Sequence, residues 1–103
     1  MEKKDLIVII ANKYQAEEIV GFANTLGANG ATVVNGRGTT KKEVLPFLDF
    51  TIEPEKELIF MTVNNDLTAN ITSAIKERFT LNQPNKGILF VIPVKKYRGL
   101  NNE

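Results

Sequence analysis

The sequence predicts a small α+β domain in which an antiparallel sheet carries two helices on one face. Three observations point there. Strand-like and helix-like segments follow one another as β-α-β-β-α-β. Three of the strand segments are apolar runs, LIVIIA (6–11), LIFMTV (58–63) and ILFVIPV (88–94). A glycine-bracketed stretch, GANGATVVNGRG (27–38), leads from the first helix into the remaining strand, which ends on Arg37.

Leu6 to Ala11 is apolar at consecutive positions and rich in β-branched residues. It is too short for a buried helix, so it reads as a central strand. Asn12-Lys13-Tyr14 turns the chain. From Gln15 the apolar residues Ala16, Ile19, Val20, Ala23 and Leu26 recur at helical spacing, with Glu17 and Glu18 near the positive end of the helix dipole. Gly27 is placed to stop this helix with a left-handed residue. Thr32, Val33 and Val34 then suit a pleated strand.

Thr39 to Asp49 holds neither period and reads as a loop, although Val44, Leu45, Phe47 and Leu48 are more apolar than a free loop requires. Pro54 and Glu55 to Glu57 bring the chain into the strand from Leu58 to Val63. Asn64, Asn65 and Asp66 are N-cap types, and Leu67, Ile71, Ala74, Ile75 and Phe79 continue as an amphipathic second helix. A turn at Asn82 to Gly87 precedes the last strand, Ile88 to Val94, after which the tail is polar and basic.

This order is that of the split β-α-β, ferredoxin-like arrangement, in a single domain spanning 1–103. A sheet with one wet face should alternate apolar and polar residues, and the apolar runs do not. Two helices cover one face only, so the second face is expected to pack against other copies of the chain.

Composition narrows the function. Neither Cys nor His occurs, which removes disulfides, thiolate chemistry and the commonest zinc and copper ligands. With a net charge of +1 and scattered Lys and Arg, nucleic acid is not an expected partner. The N-terminal apolar run is too short for a signal h-region, and no run approaches the roughly 20 residues of a membrane helix, so a cytoplasmic protein without direct membrane insertion is expected.

The chemistry concentrates at Arg37. Gly36 and Gly38 flank it, and Thr39, Thr40, Lys41 and Lys42 follow, the hydroxyls, amides and cations that an anion site needs. The guanidinium and the Gly38 and Thr39 amides are expected to grip a phosphate, and Thr32 to read a base or carbonyl.

Gly27, Gly30, Thr32, Val33, Arg37 and Gly38 fit a Gly-x-x-Gly-x-Thr-Val segment followed by a basic residue and glycine, and Gly87, Phe90, Val91, Pro93 and Val94 fit Gly-x-x-Phe-Val-x-Pro-Val. In both motifs, over nearly its whole length, the chain resembles the PII (nitrogen regulatory protein P-II, GlnB-like) signal-transduction family, as a short-loop member. The resemblance implies a homotrimer with adenine nucleotides (ATP, ADP or AMP) in clefts between subunits, and Thr32, Arg37, Gly38 and Gly87 at that site. It implies no covalent cofactor. It also implies regulation of a protein partner, a membrane transporter or a metabolic enzyme, in nitrogen metabolism, with the 39–50 loop as the responsive element.

The chain departs from the family in the loop, which lacks the tyrosine that some members modify and the glutamine that helps hold magnesium and 2-oxoglutarate. Ile88 stands where the family places a phosphate-binding lysine, with Lys86 on the other side of Gly87, and the family's paired arginines further along are absent, with Lys95, Lys96 and Arg98 as the candidate substitutes. Two alternatives share the fold: a CutA-like trimer linked to divalent metals, which the lack of His and Cys disfavours, and a phosphate-ester enzyme such as an acylphosphatase. For the latter, Arg37 with Asn35 is the candidate pair, but no nucleophile or general base accompanies it. A regulatory module of the ACT type shares the fold as well. The expected protein is therefore a non-catalytic sensor of a small anionic effector.

Overall fold

The computed structural model describes residues 3–38, 44–45, 50–51, 55–81 and 86–99. The elements are β1 (Lys4–Asn12), α1 (Ala16–Thr25), β2 (Thr32–Arg37), β3 (Val44–Leu45), β4 (Phe50–Thr51), β5 (Glu55–Asn64), α2 (Asn65–Arg78) and β6 (Ile88–Val94). Four strands form one antiparallel sheet in the order β2-β5-β1-β6. That is the split β-α-β arrangement expected from the sequence. The 39–49 segment read as a loop contains β3 and pairs it with β4 through Val44 opposite Thr51 and Leu45 opposite Phe50. Strands of two residues are too short to show a period, which is why the pattern did not reveal them.

Register decides which side chains share a face. Ile7 lies opposite Met61 and Val91, and Ile9 opposite Ile59 and Leu89. Ile7, Ile9, Ala11, Ile59, Met61 and Val63 are buried, and they form one core with Ala16, Ile19 and Ala23 of α1 and Ile71 and Ile75 of α2. Each fully buried isoleucine contributes roughly 1.5–3 kcal/mol. The alternate set, Leu6, Val8, Ile10, Leu58, Phe60, Ile88, Phe90 and Ile92, faces away from this core. Proline at 93 is tolerated because β6 is an edge strand.

Local contacts fix the helices. Gly27 follows α1 with φ +112, the left-handed residue expected there. The Thr68 hydroxyl on α2 donates to Asp5 Oδ2 on β1 at 2.6 Å, which pairs a buried polar group and ties helix to sheet. Asn64 sits at the N-cap of α2 but does not cap it with its side chain; Asn64 Oδ1 accepts from Lys4 Nζ at 2.5 Å instead. Between the helices, Phe22 and Phe79 meet edge to face at 6.0 Å, with the Arg78 guanidinium 4.9 Å from the Phe22 ring. No helix among the described residues is long and apolar enough to cross a membrane.

Candidate functional site

The sheet ends at a cleft of about 540 Å³ lined by Lys13, Tyr14, Asn35, Gly36, Arg37, Glu55, Lys56 and Glu57. Three segments build it: the end of β2, the start of β5 and the turn between β1 and α1. Pairing of Asn35 with Glu57, Gly36 with Lys56 and Arg37 with Glu55 sets the floor. Asn35 and Arg37 therefore project to the helix-bearing side, while Gly36 and Lys56 share the other.

The cleft's carboxylates already have partners. Glu57 Oε1 accepts from the Ala16 backbone N–H at 2.8 Å, which satisfies one of the open donors at the start of α1. Gln15, the residue at the N-cap itself, makes no side-chain cap. Glu55 is ion-paired with Lys13. That contact holds the Glu55 carboxyl below its usual range, with a further contribution from the Arg37 charge. The same bond to Glu55, followed by one to Tyr14, raises Lys13 above the usual lysine value. Lys56 Nζ donates to Asn12 Oδ1 at 2.9 Å. Arg37 is exposed, and its guanidinium donates no hydrogen bond to another described residue. It is thus the cation best placed to take an added anion.

The structure brings Asn35, Gly36 and Arg37 together here and adds Lys13, Tyr14, Lys56 and Glu57, which sequence reasoning passed over. Gly38 follows directly, and among the described residues a Cβ there would meet only Lys56 Cγ at 3.9 Å. At Gly36 a Cβ would come within 3.0 Å of Leu58 Cδ1, so packing against β5 accounts for that glycine. Thr39 and the rest of the 39–43 run lie outside the described residues.

Thr32 is not part of this cleft. It pairs with Phe60, five residues before Arg37, which is about 17 Å along an extended strand and on the opposite face. It lines a second hollow with Leu6, Gly30 and Phe60. Lys86 and Gly87 precede β6, at the same end of the sheet as Arg37 but at the far edge, with β5 and β1 between. Gly87 has φ +131, and a Cβ on it would lie 2.8 Å from the Ile10 carbonyl oxygen, so only glycine fits this turn.

The family model described as nitrogen regulatory protein P-II matches residues 4–102. Among solved structures, the chain is similar to Arabidopsis thaliana PII bound to citrate, with a TM-score of 0.67 and 20% identity over 90% of this chain and 78% of that one. It is also similar to a Bacillus cereus protein related to NIF3, with a TM-score of 0.69 and 17% identity. That match covers 92% of this chain but only 26% of the Bacillus cereus chain. At these identities the structural likeness speaks for the fold. No curated protein matches the sequence.

Proposed function

The chain belongs to the nitrogen regulatory protein P-II family, and on that premise we propose that it is a non-catalytic cytoplasmic sensor whose Arg37 cleft binds a small anionic effector, an adenine nucleotide. The observation that carries this reading is the exposed Arg37 guanidinium in a cleft whose carboxylates are both already paired. An entering phosphate or carboxylate then meets an exposed cation that donates no hydrogen bond to another described residue. Arabidopsis PII is bound to citrate, also a small anion.

The proposed site is completed between copies. Gly87 lies at the edge of the sheet away from Arg37, and in this reading it closes over an Arg37-bound ligand from a neighbouring chain rather than its own. Packing of the apolar sheet faces in a homotrimer would bring such edges together. Ligand contacts shared between chains favour one arrangement of the 39–50 segment over another, and that difference in affinity is what a partner transporter or metabolic enzyme would sense. Asn35 and Arg37 share a face, as the phosphate-ester alternative requires. However, Glu57 caps α1 and Glu55 holds Lys13, so neither carboxylate is set up as a general base.

Native mass spectrometry of the purified protein, followed by calorimetric titration with ATP, ADP and AMP, tests this. A nucleotide retained through purification, or one that binds at micromolar concentration, is the expected result. Recovery of a neutral molecule at the cleft, with no binding of any nucleotide, would overturn it.

A further inference from the structure

We propose that Tyr14 is the platform on which the planar ring of the effector stacks, which makes the ligand class a nucleotide lying with its phosphates toward Arg37 and its base on the Tyr14 ring. This rests on the reading of the Arg37 cleft given above and adds a recognition residue from outside the glycine-bracketed strand.

Two features of Tyr14 argue against a role in the turn alone. Tyr14 is 80% exposed, against 42–52% for the other exposed large hydrophobics among the described residues, all of which lie on strands. Its φ is +74, the left-handed region that disfavours a residue with a Cβ and that Gly, Asn or Asp fills at less cost. A tyrosine here accepts backbone strain and leaves most of its surface in water, with the Lys13 ammonium over its ring. Strain of this kind concentrates at ligand sites, where the gain comes on binding.

The ring is also held in place. Lys13 Nζ lies 4.9 Å from the Tyr14 ring centroid and is ion-paired with Glu55, which anchors the turn to the first residue of β5. Fixing the ring before the ligand arrives lowers the ordering cost of binding. Tyr14 lines the same cleft as Asn35 and Arg37, and about 540 Å³ is within the range of small-molecule sites. An arginine fork and an aromatic face on one cleft match the two halves of a nucleotide, charged phosphates and a flat base. Thr32, the base reader expected from the sequence, is about 17 Å along the strand from Arg37 and on the other face, so within one chain it does not share the Arg37 cleft, whereas Tyr14 does.

The test uses the full chain and pairs each nucleotide with the ring-free phosphate of the same length: ATP with tripolyphosphate, ADP with pyrophosphate, AMP with orthophosphate. Affinities are compared for wild type, Tyr14→Gly, Tyr14→Phe and Arg37→Ala. Tyr14→Gly should weaken the nucleotide by about tenfold or more and leave the ring-free phosphate unchanged, while Tyr14→Phe restores nucleotide binding to within about twofold. Arg37→Ala should weaken both probes. Because glycine relieves the positive φ, Tyr14→Gly should melt no lower than wild type, so its loss of binding is not loss of fold. The sequence has no tryptophan and two tyrosines, so in a Tyr97→Phe background the emission of Tyr14 alone should change on nucleotide addition.

Wild-type nucleotide affinity in Tyr14→Gly, with loss in Arg37→Ala, would remove the ring from the site and leave the anion reading standing. Equal loss of nucleotide and ring-free phosphate in Tyr14→Gly would also overturn the stacking role, since the turn would then act through Lys13. Failure of wild type to bind any of the six probes would overturn both readings.

Discussion

The Glu57 carboxylate accepts a hydrogen bond from the backbone N–H of Ala16 at 2.8 Å, across 41 residues of chain. The first turn of α1 is thus closed from β5, and the local residue at the N-cap, Gln15, does not cap it. Helix start, strand end and cleft wall meet in one bond. Glu57→Ala should destabilise the fold by about 0.5–2 kcal/mol, the usual cost of losing an N-cap acceptor. Glu57→Gln, which keeps an acceptor oxygen, should lose less. Chemical denaturation of both variants at fixed protein concentration checks the order.

The Lys13–Glu55 pair gives a pH signature. Its bond to Lys13 lowers Glu55 from the ordinary carboxylate value, so the stabilisation from Glu55 is present above the unfolded-state pKa and lost as pH falls through the lower folded-state value. Lys13 is raised, so its contribution is complete below the unfolded lysine pKa and lost as pH rises through the higher folded-state value. The pair therefore acts across the neutral range and is lost at both extremes. Both groups are solvent-exposed, so the effect on stability is small. NMR titration should show the Glu55 carboxyl below the other exposed glutamates, and Lys13→Met should move its midpoint upward. No movement in Lys13→Met would mean that Lys13 is not its main partner.

The sheet face turned away from the helices should be an interface between copies. Ile88, Phe90 and Ile92 on β6 are 52%, 48% and 49% exposed, beside Leu6, Val8 and Ile10 of β1 and Leu58 and Phe60 of β5. An apolar surface of this extent is rarely left in water. Light scattering should give the mass of a trimer for wild type. Phe90→Glu should give monomer or aggregate, and Ser73→Glu on the exposed side of α2 should leave the mass unchanged. A wild-type monomer at micromolar concentration would end the proposal.

Much of this architecture was legible in the sequence because apolar runs such as Leu6 to Ala11 mark a central strand without help from the rest of the chain. Their lack of alternation also announced that both sheet faces are apolar, as Ile7 and Ile9 on one side and Leu6, Val8 and Ile10 on the other now show. Boundaries set by pairing were less visible. β5 begins at Glu55, ahead of its apolar run, because Glu55, Lys56 and Glu57 pair with Arg37, Gly36 and Asn35. The Asn35–Arg37 half of the cleft was legible from residue types. The other half, Lys13, Tyr14 and Glu57, comes together only through contacts long in sequence, and its one local signal was an aromatic residue where a turn would ordinarily place Gly or Asn.

Arg37 provides the sharpest test of the effector reading. A charge-assisted hydrogen bond to a phosphate contributes roughly 1.5–3 kcal/mol, so Arg37→Ala should weaken nucleotide binding by about 10- to 150-fold. Arg37→Lys should fall between, because it keeps the charge but loses the planar fork. Since the site is exposed, wild-type affinity should decline as salt rises, and the Arg37→Ala variant should show a shallower dependence. The competing account is that Arg37 serves the fold by balancing Glu55, its neighbour in register on β5. Under that account Arg37→Ala would lower the melting temperature or dissociate the oligomer and leave the affinity of the surviving assembly unchanged. Calorimetry with the mass measured in parallel separates the two: weakened binding by an intact assembly assigns Arg37 to the ligand, and unchanged binding, or an assembly that falls apart, assigns it to the structure.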